Sequence, residues 1–132
     1  MQARRFSLGL AKNGRYGSNA EGNIMAIKLP RIINDYVNAS NAHDAKSILS
    51  CFSENAVVRD EGERLHGTKT IEDWIRRTIE KYKFQFKPLS IKDEAAEVVV
   101  ATEVSGTFDG SPITLDYHFT IKGDKILSLT ID

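Results

Sequence analysis

Three residues of this sequence carry side chains suited to moving a proton beside a carbonyl: Tyr36, Asp60 and Tyr117. A carboxylate can take the proton, and phenol hydroxyls can donate hydrogen bonds to the oxygen on which charge develops. Asp60 ends an alternating run in which Ala56, Val58 and Asp60 share one face and Val57 and Arg59 the other. With that face toward the core, apolar neighbours strengthen the carboxylate as a base. Tyr117 lies in a second alternation. Leu115, Tyr117, Phe119 and Ile121 form its apolar side and Asp116, His118, Thr120 and Lys122 its polar side, so Tyr117 faces inward and Asp116 outward. A phenol donates without any shift of its pKa, whereas a carboxyl must first be kept neutral. Structural roles compete with these readings, because Asp at a strand end commonly caps a turn and a Tyr on a buried stripe serves packing.

The elements that must position these groups are legible from periodicity. Leu29, Ile32, Ile33, Tyr36, Val37 and Ser40 recur at helical spacing, with Pro30 suited to the first turn. A turn at Asn41-Ala42-His43-Asp44 ends this helix. Asp44 is then a good N-cap for a second helix that turns Ala45, Ile48, Leu49 and Phe52 inward. The strand ending at Asp60 leads through a hairpin-like stretch, 61–66, to a third helix opened by Gly67-Thr68. Its buried stripe is Ile71, Trp74, Ile75, Thr78, Ile79 and Tyr82. Strands follow at about 85–92, 97–108, 113–122 and 126–131, the last two joined by a turn at Gly123-Asp124. This order predicts an α+β cone: a curved, mostly antiparallel sheet wrapped around three N-terminal helices, with a cavity near its open end. Phe52, Val58, Trp74, Phe108 and Phe119 are the candidate apolar lining of that cavity.

Composition excludes several alternatives. A chain of 132 residues suffices for one domain. Eighteen basic residues balance eighteen acidic ones, so no overall field favours nucleic acid or an anionic membrane. No apolar run approaches the length that spans a bilayer. With Cys51 alone no internal disulfide forms, and a soluble, cytoplasmic protein is expected. Cys51 lacks an evident base partner and reads as an inert thiol. His43, His66 and His118 lack metal-ligand spacing, so no metal is expected, and a base with two donors needs no cofactor. His66, near the pocket mouth, offers a dehydratase as a minor alternative. Arg76, Arg77, Lys81, Lys83 and Lys87 interleave with Glu72, Asp73 and Glu80, which marks a solvated face. Residues 1–24 carry Arg4, Arg5, Lys12 and Arg15 against Glu21, with Gly and Asn throughout. They read as a disordered extension, a transit peptide, or sequence upstream of a start at Met25, which leaves 25–132 as the domain.

From about Leu29 onward the chain resembles the nuclear transport factor 2-like superfamily, in its SnoaL-like and ketosteroid-isomerase-like branch. The stretches that carry the resemblance are 36–44, 51–60, His66-Gly67-Thr68-Lys69-Thr70-Ile71 and Asp116-Tyr117-His118-Phe119. In the ketosteroid isomerases a Tyr of the first helix donates to the oxyanion, which Tyr36 matches, and an Asp ending the first strand is the base, which Asp60 matches. Their second donor is a protonated Asp just before a His-Phe pair. Here Tyr117 holds that place and Asp116 comes one position too early. The resemblance therefore implies either two phenol donors with altered chemistry or a lost catalytic set. The family spans isomerases, polyketide cyclases, dehydratases, epoxide hydrolases, binders and interaction domains. The function expected is a pocket for a small hydrophobic molecule, serving a cofactor-free isomerase or cyclase that acts beside a carbonyl of a steroid- or polyketide-like compound. The alternatives are a non-catalytic ligand binder and a protein-interaction domain. Val98-Val99-Val100-Ala101 is apolar on both strand faces, which predicts a homodimer through the sheet, as the resemblance also implies.

Overall fold

The computed structural model describes residues 27–94 and 96–132. The expected extension over 1–24 and the start at Met25 lie outside the described residues. Among the described residues the order is α1 (Arg31–Asn41), α2 (Ala45–Ser50), β1 (Phe52–Asp60), β2 (Glu63–His66), α3 (Thr68–Tyr82), β3 (Gln85–Glu94), β4 (Glu97–Ser105), β5 (Ile113–Lys122) and β6 (Lys125–Ile131). None of these helices is long and apolar enough to cross a membrane.

The helix ends follow local chemistry. Pro30 precedes α1 as its N-cap, and the turn after it closes with His43 at φ 55, returning Asp44 N–H to the Ala39 carbonyl at 3.1 Å. Asp44 then caps α2, accepting from Ser47 N–H at 3.2 Å and from the Ser47 hydroxyl at 2.8 Å. α1 buries Ile33, Tyr36, Val37 and Ser40, and α3 buries Ile71, Trp74 and Ile75. Two boundaries differ from the periodicity. α2 stops before Phe52, which opens β1 and pairs with Ile126 of β6. β4 ends at Ser105 rather than Phe108, because the chain at Gly106 closes on α3. A Cβ there would lie 2.3 Å from the Tyr82 carbonyl oxygen, which instead accepts from Thr107 N–H at 2.8 Å.

The six strands make one sheet in the order β2-β1-β6-β5-β4-β3. β1 and β6 are parallel and the other neighbours antiparallel. β1 and β2 form a hairpin across Glu61 (φ 55) and Gly62 (φ 82), the paired positive angles that match strand twist in a two-residue turn. α1 packs on β3 at one edge of the sheet and α3 on β1 and β2 at the other, with α2 between the helices. The sheet reaches both only by curving across them, which gives the α+β cone. Ile33, Ile48, Ile71, Ile126, Leu129 and Phe119 are almost fully withdrawn from water, each worth roughly 1.5–3 kcal/mol of apolar burial.

Candidate functional site

The cavity inside the cone takes its walls from both layers. α1 supplies Tyr36 and Ser40, β5 supplies Leu115 and Tyr117, and β1 supplies Asp60 at its last residue. Strand register sets the spacing. Asp60 pairs with Ile131 of β6, and Ile131 pairs with Tyr117 of β5, so the three form one row across the sheet. Residues opposite one another share a face. Asp60 and Tyr117 therefore point the same way from strands two apart, about 9–10 Å between backbones. Ile131 forms the apolar floor between them, and all three line the cavity.

Tyr36 hangs over this row and is held by aromatic contacts. Its ring stacks on Phe86 at 6.2 Å and meets Phe52 and Phe119 edge-on at 5.9 and 5.6 Å. Tyr117 meets Phe86 at 5.3 Å. Burial pushes the Tyr36 hydroxyl far above the ordinary phenol value and the Asp60 carboxylate adds to the rise, while the nearby Ser40 hydroxyl opposes it. Burial likewise raises Tyr117, with further contributions from Tyr36 and Asp60. Both phenols thus stay protonated at neutral pH, as donors rather than bases.

Trp74 does more than line the wall. Its indole Nε1–H donates to Asp60 Oδ2 at 3.1 Å, which fixes the orientation of the carboxylate. Beside it, the Tyr82 hydroxyl donates to Glu61 Oε2 at 3.1 Å at the cavity mouth. Neither contact is readable from spacing, because each joins α3 to the end of β1 by tertiary packing.

The structure divides the expected apolar lining. Trp74 and Phe108 are on the wall, whereas Phe52, Val58 and Phe119 are not among the lining residues. Phe52 and Phe119 support the Tyr36 ring. Val58 lies two residues deeper along β1, wholly enclosed in the core. Ser40 was legible only as a member of the helical stripe; its signal was a hydroxyl on an otherwise apolar face, four residues from Tyr36. The volume of this cavity is about 80 Å³. It continues into a polar vestibule of about 290 Å³ that shares Asp60, Glu61, Trp74, Thr78 and Tyr82 and adds Glu63, Arg77 and Lys81.

The remaining polar candidates lie elsewhere. His43 contacts the Phe84 carbonyl through Nε2 at 2.7 Å. His118 faces outward between Glu97 at 3.3 Å and Asp132 at 2.9 Å. The outer face does bring Asp116, His118 and Asp132 together, with possible ligand atoms within 4.8 Å of one another. Sequence spacing missed this grouping because Asp132 arrives from the neighbouring strand. Burial raises the Cys51 thiol to about 11, with Asp35 adding and Lys125 opposing, in keeping with an inert cysteine.

Comparison with known proteins identifies the fold. Residues 33–129 match the family model described as a SnoaL-like domain. A Sinorhizobium meliloti protein provisionally assigned as a polyketide cyclase is 36% identical, with 79% of this chain and 95% of that chain covered and a TM-score of 0.76. A Pseudomonas putida protein with the same provisional assignment is 21% identical, covering 76% and 87%, with a TM-score of 0.65. A Catenulispora acidiphila protein of ketosteroid-isomerase-like fold, solved with trimethylamine, is 16% identical, covering 80% and 86%, with a TM-score of 0.70. A comparison with curated proteins gives no match. The family match and the structural likeness agree: the chain belongs to the SnoaL-like domain family, on a nuclear transport factor 2-like, ketosteroid-isomerase-like fold.

Proposed function

We propose that this chain holds a small hydrophobic carbonyl compound and transfers a proton beside its carbonyl without a cofactor, as an isomerase or a cyclase. The observation that carries the reading is the row Asp60–Ile131–Tyr117 beneath Tyr36 in one apolar cavity. A ligand over Ile131 has the carboxylate at one end and the two phenols at the other. Asp60 takes a proton from the carbon next to the carbonyl. The C–H electron pair forms the enolate double bond, and the carbonyl π pair moves to oxygen, where Tyr36 and Tyr117 donate hydrogen bonds. Where a β,γ double bond of the compound extends the enolate to a dienolate, return of the proton from Asp60 to the γ-carbon shifts that double bond into conjugation and isomerises the compound. Attack of the enolate carbon on a second carbonyl closes a ring instead, and the proton goes to the new alkoxide. The provisional polyketide cyclase assignments of the Sinorhizobium and Pseudomonas proteins support this class.

Size narrows the ligand. A chamber of about 80 Å³ is smaller than a cavity of ~150 Å³ known to take benzene. It admits the enolisable end of a molecule, an acyl group or one ring edge, and the remainder must lie in the vestibule. A fused four-ring body does not enter whole, so a polyketide-like or shorter carbonyl compound fits better than a steroid.

The test is deuterium exchange. Native protein with a panel of small 1,3-diketones and cyclohexenones in D2O should label the carbon beside the carbonyl, and Asp60→Asn should slow this by about 10²–10⁴-fold with the fold intact. Absence of labelling by native protein, or equal labelling by Asp60→Asn, overturns the reading. One observation favours a second reading, a non-catalytic binder: Trp74 bonds Asp60, so the carboxylate can serve as a strut between β1 and α3. Retained ligand with no exchange would select it. We also propose that two copies pair through the outer face of β4 and β5, where Val99 and Ala101 lie opposite His118 and Asp116. A monomer mass by light scattering would count against that pairing.

A further inference from the structure

Ser40 lies one helical turn beyond Tyr36, is 1% exposed, and lines the same cavity. A serine or threonine inside a helix commonly bonds its hydroxyl back to a carbonyl three or four residues earlier. Thr78 does so on α3, with the Trp74 and Ile75 carbonyls at 2.9 and 3.1 Å. Ser40 does not. Its Oγ has no hydrogen-bond partner among the described residues. It is near enough to the Tyr36 phenol to temper that group's rise in pKa, yet it makes no well-formed hydrogen bond to it.

A buried hydroxyl without a partner weakens a fold, and alanine would fill this place without that cost. The Thr114 hydroxyl shares the condition, but β5 alternation turns it away from the face that carries Tyr117. Ser40 combines the missing partner with a place on the cavity wall. We propose that the Ser40 hydroxyl is a third donor to the ligand oxygen held by Tyr36 and Tyr117. Tyr36 and Ser40 approach that oxygen from α1, and Tyr117 approaches it from the sheet. Three donors on one atom select a ligand with a strong, charge-bearing acceptor, an enolate or its analogues, over hydrocarbons and ethers of the same shape. The inference rests on the function proposed above and names the polar contact that sets its ligand preference.

A matched pair of probes tests it: 4-nitrophenolate, whose oxygen mimics that of an enolate, and 4-nitrotoluene, which has the shape without the acceptor. Binding of both is measured by absorbance titration to native protein, Ser40→Ala and Tyr36→Phe, alongside thermal melts. Ser40→Ala should bind the phenolate roughly tenfold more weakly, the usual worth of one hydrogen bond. It should bind the toluene unchanged and melt at or above the native temperature. If Tyr36→Phe loses phenolate affinity and Ser40→Ala keeps it, this inference falls while the site reading stands. A marked drop in the melting temperature of Ser40→Ala also overturns it, because that assigns the hydroxyl to the fold. Failure of native protein to bind either probe overturns both.

Discussion

Asn41 closes α1 and reaches to the edge of the sheet. Its Nδ2 donates to the Phe86 carbonyl at 3.0 Å, and its Oδ1 accepts from the Phe86 N–H at 2.7 Å. β3 is an edge strand, so the side-chain amide stands where a neighbouring strand would pair. His43 and Gln85 reinforce the seam, through the Phe84 carbonyl at 2.7 Å and the Asn41 carbonyl at 3.2 Å. Asn41→Ala removes two hydrogen bonds, each worth about 0.5–1.5 kcal/mol net, and leaves both Phe86 backbone groups half-buried. The expected loss is about 2 kcal/mol. At roughly 4 °C per kcal/mol for a domain of just over 100 residues, Tm should fall by about 8 °C. The site should feel it too, because the Phe86 ring stacks on Tyr36 and abuts Tyr117. Urea unfolding gives the stability change, and hydrogen exchange of the Phe86 amide reports the seam itself. Asn41→Asp keeps the acceptor but sets an oxygen against the Phe86 carbonyl, so it should be at least as damaging. A change below about 0.5 kcal/mol with unchanged Phe86 protection would refute the role assigned to this amide.

Two further outcomes follow from the polar contacts. Burial alone would lower the pKa of His118, but the Asp132 and Glu97 carboxylates outweigh it and raise the group above 6.5. Its contribution to stability is therefore complete below the unfolded value and is lost as pH rises through the higher folded one. His118→Gln should flatten that decline in melts across about pH 5–9, and an unchanged slope would show that the ion pairs contribute nothing. Trp74→Phe removes the N–H that holds Asp60, a charge-assisted bond worth about 1.5–3 kcal/mol. Deuterium exchange should slow about tenfold or more with ligand affinity less affected, whereas an unchanged rate would mean that the indole does not orient the carboxylate.

Local features of the fold were legible where the physics is local. The stripe through Ile33, Tyr36, Val37 and Ser40, the Asp44 cap and the alternation that turns Tyr117 inward each depend on residues a few positions apart. Boundaries failed where a distant partner decided them. Phe52 fits the helical period of α2, yet its backbone is claimed by Ile126, and β4 is cut short by the approach of the Tyr82 carbonyl to Gly106. The expected apolar lining was divided for the same reason, with Trp74 and Phe108 on the cavity wall. Phe52, Val58 and Phe119 are core residues by pattern, but whether a core residue also touches a cavity depends on what packs in front of it.

For the site, the sequence by itself determined residue types and faces: a carboxylate ending β1 and a phenol on the inner side of β5. Side-chain direction has a period of two along a strand, and that period is written in the residues themselves. The tertiary structure alone decided that these groups meet. Asp60 and Tyr117 lie 57 positions apart in the chain, and they fall on one row because β1 pairs in parallel with the last strand and places Ile131 between them. It also decided that Trp74 grips Asp60 and that the Ser40 hydroxyl opens onto the cavity without a partner among the described residues. Register between distant strands and the docking of helices on a curved sheet come from the packing of the whole core, which no local period encodes.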